Sequence, residues 1–132
     1  MTLFFIARFI SNYFEGGLGF KLKYESTKTS PWSYNFGACG GNFTNSNGIL
    51  TSPSYPDNYP DDAECVYAIS QPTDSAIKLT FRSMDIEEYY GDCYDYLEIR
   101  DGPSADSPLV DKRCGNEIPP PIQSSHNQMW IK

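Results

Sequence analysis

Residues 77–102 read IKLTFRSMDIEEYYGDCYDYLEIRDG, two alternating runs on either side of an acidic loop. In IKLTF, Ile77, Leu79 and Phe81 fall on one face of an extended chain and Lys78 and Thr80 on the other. In DYLEI, Asp95, Leu97 and Ile99 share a face, with Tyr96 and Glu98 opposite. FKLKY, residues 20–24, repeats the pattern, with Phe20, Leu22 and Tyr24 inward and Lys21 and Lys23 outward. MTLFFIARFI at the start and QMWIK at the end are strand-like as well. Turn clusters separate these runs: EGGLG, NSNG, SPSYPDNYPDD, QPTDS, DGPSADSP and IPPPI. Short period-2 runs without a helical repeat predict an all-β chain, folded as an antiparallel sandwich or barrel. Residues 27–38, TKTSPWSYNFGA, have the composition of a linker.

The acidic loop raises a charge question. Residues 85–102 hold seven of the chain's seventeen carboxylates, together with four tyrosines and one arginine. Parity puts Asp95 at the end of the Leu97/Ile99 face and Glu87 on the Ile77/Leu79/Phe81 face, provided no bulge intervenes. Two inward acids cannot both stay ionised alone; one takes a proton or a cation joins them. With oxygen ligands on offer that cation is Ca2+. Glu88, Asp92, Glu98 and Asp101 are expected to face water.

The 132-residue length suits one domain with a core, and a net charge of −7 argues against nucleic acid as a partner. Basic ligands and divalent cations are the natural counterparts. MTLFFIARFI has Arg8 inside its apolar run and lacks a basic lead-in and a small-residue cleavage site, so it reads as a strand and not a leader. It is too short to span a bilayer, and no direct membrane insertion is expected.

Cysteines stand at 39, 65, 93 and 114, with no close-spaced pair and a single histidine, His126. That spacing disfavours zinc and fits two disulfides in an oxidising, extracellular compartment. Three pairings are open on spacing alone. Asn42 begins the sequon NFT, a glycosylation acceptor in such a compartment. His126 lies in SSHNQ with no partnered nucleophile, so no enzyme is expected.

From Cys39 onward the chain resembles a CUB domain. Three stretches carry the likeness: CGGNFTNSNGILTSPSYPDNYPDDAECVYAI, LTFRSMDIEEYYGDCYDYLEIRDG and LVDKRCGNEIPPPIQSSHNQMWIK. The resemblance implies a jelly-roll-like β-sandwich with sequential disulfides, Cys39–Cys65 and Cys93–Cys114. In calcium-binding members the metal is held by a Glu, the Asp of Tyr-Asp and a third Asp in the penultimate strand. A Tyr of the second Tyr-Pro supports the Glu. Here these roles would fall to Glu87, Asp95 and, in support, Tyr59. Such sites also take up a Lys or Arg of a protein ligand. Glu87 and Asp95 would do so here, with Tyr89 and Tyr90 at the loop tip as aromatic contacts.

The composition of CGGNF and its loops looks most like the tandem CUB repeats of an endocytic receptor. The third Asp is expected in strands that would follow residue 132. Residues 3–24 resemble that ending, down to the Gly-Phe-x-x-x-Tyr close, and Asn12 stands where the Asp would be. The organisation expected is therefore residues 1–26 as the last strands of a preceding repeat, 27–38 as linker, and 39–132 as a CUB domain lacking its final strands. Residues 3–24 would then complete the sandwich in permuted order, within the same chain or swapped between two chains, burying Phe5, Phe9, Phe20 and Leu22 and making Asn12 a weak third calcium ligand. The implied function is an extracellular, calcium-supported protein-binding module beside neighbouring CUB repeats. The alternative is a structural spacer repeat with no ligand of its own.

Overall fold

The computed structural model describes residues 2–12, 16–26 and 32–124. The C-terminal QMWIK, His126 and the Phe5 side chain lie outside what is described. Twelve strands follow in order: β1 Thr2–Ile10, β2 Gly19–Ser26, β3 Trp32–Gly37, β4 Gly41–Phe43, β5 Asn47–Pro53, β6 Glu64–Pro72, β7 Ile77–Asp85, β8 Glu88–Tyr89, β9 Asp92–Cys93, β10 Tyr96–Arg100, β11 Leu109–Arg113 and β12 Ile122–Gln123. No helix occurs among the described residues.

Two five-stranded sheets form, ordered β11-β10-β1-β6-β4 and β12-β7-β2-β5-β3, and β8–β9 make a separate hairpin. The N-terminal strands occupy the middle of both. β1 pairs antiparallel with β6 from Thr2↔Pro72 to Ile10↔Glu64, and with β10 from Ala7↔Ile99 to Ile10↔Tyr96. β2 pairs antiparallel with β7 on one side and β5 on the other. A strand at the centre of a sheet satisfies its amides on both edges, so β1 and β2 are built into the sandwich.

The inner faces are as the alternation requires. Phe9, Phe20, Leu22, Tyr24, Ile77, Leu79, Leu97 and Ile99 are fully buried. Aromatic rings run through the core as a continuous series. Phe9 meets Phe20 at 5.3 Å, Phe20 meets Tyr67 at 5.7 Å, and Tyr67 stacks on Phe43 at 6.3 Å. Each such pair adds roughly 0.5–1.5 kcal/mol beyond its area burial. Burial pushes the Tyr24 phenol up to about 12.

Three expectations change. The stretch read as a linker contributes β3, which pairs parallel with β5 from Trp32↔Asn47 onward. β4 likewise pairs parallel with β6, so both edges depart from the antiparallel rule. Glu98 is buried rather than solvated, at 7% exposure. It lies on a strand flanked on both sides, opposite Arg8 and Lys112, and Arg100 Nε donates to its Oε1 at 2.6 Å. The Arg100 guanidinium, which also ion-pairs with this oxygen, takes the place of water at the carboxylate.

The disulfides are the sequential pair, Cys39–Cys65 and Cys93–Cys114. The first ties the β3–β4 corner to β6. Gly40 is required there: its φ is +72°, and a Cβ would stand 2.2 Å from the Val66 carbonyl oxygen. The second closes the acidic loop, which is also pinned by paired backbone bonds between Ile86 and Gly115, at 2.8 and 3.1 Å.

A candidate calcium and ligand site

β1 ends beside the acidic loop, and a short stitch fixes the two residues that come after it. Ser11 N–H donates to Ala63 O at 2.9 Å, its Oγ donates to Pro60 O at 2.7 Å, and Asn12 O accepts from Asp62 N–H at 2.9 Å. Asn12 is thereby held against β10 and the loop after β7. Its backbone N–H donates to Asp95 Oδ1 at 2.5 Å, and its Nδ2 donates to Glu87 Oε2 at 3.2 Å.

Tyr59 completes the group. Its hydroxyl donates to Asp95 Oδ2 at 2.7 Å and accepts from Glu87 N–H at 3.1 Å. The ring is held edge-on to Phe9 at 4.6 Å, while its backbone N–H reaches Gly17 O at 3.3 Å. Burial first, with the Asp95 carboxylate adding to it, holds the Tyr59 phenol well above its ordinary value. Tyr59 is therefore a fixed proton donor toward Asp95. The expected residues Glu87, Asp95, Asn12 and Tyr59 thus lie together, although Tyr59 reaches Glu87 through its main chain and Asp95 through its side chain.

Parity accounts for only one of the two acids. Asp95 is fully buried on the Leu97/Ile99 face. Glu87 is not on the face of Ile77, Leu79 and Phe81, because the β2–β7 register shifts by one residue between Ser83 and Phe81. Past that bulge Met84 and Ile86 turn inward instead, at 5% and 2% exposure. Glu87 reaches Asn12 from the loop and not from the core stripe.

The tip of the loop is the hairpin β8–β9, whose two-residue turn has φ of +50° at Tyr90 and +86° at Gly91. Left-handed backbone at both central residues is the type I′ geometry that suits a twisted hairpin. A tyrosine at the first of them costs about 1–2 kcal/mol. The result is a Tyr90 ring 90% exposed, edge-on to Tyr89 at 4.5 Å. Tyr94, which the sequence did not single out, joins them at 6.3 Å from Tyr89 and is itself half exposed. The only sequence signal for it was its place in the same tyrosine-acid run.

Asp85 was also missed. Its Oδ2 accepts the Leu18 N–H at 3.2 Å, and with Glu87 and Glu88 it lines a polar cleft of about 380 Å³. Gly17 and Gly115 are part of the lining, and a Cβ on Gly17 would stand 2.2 Å from the Asp85 carbonyl oxygen. Asn42 is exposed on the edge strand β4. Among the described residues no three His, Cys, Asp or Glu side chains gather as a metal cluster. The site has two carboxylates and takes its third oxygen-bearing group from an amide, a donor set that fits a hard cation.

A two-sheet sandwich with this disulfide frame and this loop defines a disulfide-framed all-β domain, and comparison with known proteins names its family. The CUB domain family matches residues 39–132, and the chain belongs to that family, whose members are extracellular, non-catalytic protein-interaction modules. It is 47% identical over 94 residues to mouse Tolloid-like protein 2, covering 71% of this chain and 9% of that protein. To rat cubilin it is 39% identical over 115 residues, covering 86% of this chain and 3% of that protein. To human cubilin it is 38% identical over 130 residues, covering 95% and 3%. The chain thus spans a small part of the length of these relatives. No solved structure matches it significantly.

Proposed function

We propose that the chain is a calcium-supported, extracellular protein-binding module of a tandem-CUB endocytic receptor, with residues 1–26 from the end of one repeat and 39–132 from the next. The observation that carries this reading is the meeting of Asn12, from the first piece, with Glu87 and Asp95 from the second. The cubilin alignments also run well beyond the CUB match, as consecutive repeats would. Glu87, Asp95 and the Asn12 carbonyl oxygen are the groups that would hold Ca2+, whose charge would offset the two acids. The ligand is a protein presenting Lys or Arg, taken up by the acids of the loop with Tyr89 and Tyr90 against its stem. The net charge of −7 speeds encounter with such a partner. Asn42 would carry a glycan on the β4 edge, away from neighbouring strands.

Calorimetry tests the site. Asp95→Asn should lower Ca2+ affinity far more than Asp92→Asn, whose side chain is exposed. Equal effects would mean a diffuse acidic surface. Ca2+ at a hundredfold excess over Kd should stabilise the fold by about 2.7 kcal/mol. If neither Ca2+ nor a lysine-bearing partner binds, the repeat is a spacer.

A further inference from the structure

Asn12 already does for the two acids what a cation would do. Its main-chain N–H serves Asp95 at 2.5 Å and its side-chain NH2 serves Glu87 at 3.2 Å, while the Tyr59 hydroxyl donates to Asp95 and accepts the Glu87 main-chain N–H. Three donors therefore reach the two carboxylates, two on Asp95 and one on Glu87, and all three come from the protein itself.

An amide has a second end. Facing a carboxylate oxygen at hydrogen-bond distance, only the NH2 of Asn12 is attractive, since the carbonyl would set two partial negative charges together. Facing a cation placed between the two side chains, only the carbonyl is attractive. The two states differ by a half-turn about the terminal side-chain torsion, which is soft. An aspartate at position 12 could meet only the second state. Without a cation it would bring a third carboxylate against Glu87 and Asp95.

We infer that Asn12 makes this site metal-optional: it orders the acidic loop by donating to Glu87 when no cation is present, and turns its amide to accept one when it is. The cation-bound half of this inference rests on the calcium reading above; the metal-free half does not. The consequence is a domain whose fold and loop survive calcium removal, with an affinity for the ion kept low by the missing charge.

The test uses the whole chain in a chelator and in calcium, with thermal melting as the readout. In chelator the parent should melt cooperatively with the loop ordered, and Asn12→Asp should melt roughly 10 °C lower because three carboxylates meet. Calcium should recover that loss, with an affinity on the order of tenfold above the parent's. The charge-exchanged double variant, Asn12→Asp with Glu87→Gln, puts the donor and acceptor back in reversed order. It should regain most of the melting temperature in chelator even if Asn12→Asp alone fails to fold there. An Asn12→Asp variant as stable as the parent in chelator would overturn the inference, and so would a double variant no better than the single one. A parent that binds no calcium, with the double variant still restored, would sink the calcium reading and leave the metal-free role of Asn12 standing.

Discussion

A chain that begins at residue 27 is expected not to fold. It would lack β1 and β2, the third strand of each five-stranded sheet, and so would split both sheets at their centres. Phe9, Phe20, Leu22 and Tyr24, all fully buried, would be lost together. Burial of a large apolar side chain contributes roughly 1.5–3 kcal/mol, so these four account for about 6–12 kcal/mol. A whole domain of this size has about 5–15 kcal/mol of net stability. The disulfides cannot compensate, because two bridges contribute about 3 kcal/mol each through the unfolded chain and leave four strand edges unpaired. The shortened chain should show no cooperative melting transition and should elute as aggregate on gel filtration. Adding residues 1–26 as a separate peptide should restore part of the transition. A shortened chain melting near the parent temperature would mean that the body closes without these strands.

Phe9→Ala should be strongly destabilising. The Phe9 ring is wholly buried at the joint of the two sheets, edge-on to Phe20 on one side and Tyr59 on the other. Removing a ring from such a position costs about 3–5 kcal/mol, part of it the cavity left behind. In a domain of this length that lowers the melting temperature by about 10 °C or more. The substitution also removes one wall of the slot that orients Tyr59, whose hydroxyl joins Asp95 to Glu87. Ca2+ affinity should fall along with stability, although Phe9 has no polar atom near the acids. Urea unfolding and calorimetry on the same sample would check both. Phe9→Leu, which retains much of the volume, should cost less on each count.

The residues that the sequence placed best are those governed by one local rule. Phe20, Leu22 and Tyr24 point inward because they alternate on an uninterrupted strand. Asp95 is buried because it continues the Leu97/Ile99 face without a break. Glu87 shows where local rules stop: an extra residue near Arg82 reverses the pleat, and nothing in RSMD announces it. Asn12 and Glu87 could be brought together on paper only through the likeness to CUB domains, since 75 residues separate them. β3 was legible and was passed over. Trp32, Tyr34 and Phe36 alternate with Ser33, Asn35 and Gly37, but the surrounding Ser, Thr and Pro hid the period. Its parallel pairing was not legible, because the direction of an edge strand is set by where the chain must go next. Glu98 was assigned to the outer face correctly, and to water wrongly. Alternation puts Arg100 on the same face of β10 but does not say whether its long side chain folds back over Glu98.

Amide hydrogen exchange at residues 20–24 measures most directly whether the N-terminal strands are part of the sandwich and so bring Asn12 to the acids. β2 is paired on both sides and its inward residues are fully buried. Its amides should open only with global unfolding and should exchange as slowly as those of Leu79 and Leu97. Random-coil exchange at residues 20–24, with the body still protected, would show that the segment hangs free and that Glu87 and Asp95 have no Asn12 beside them.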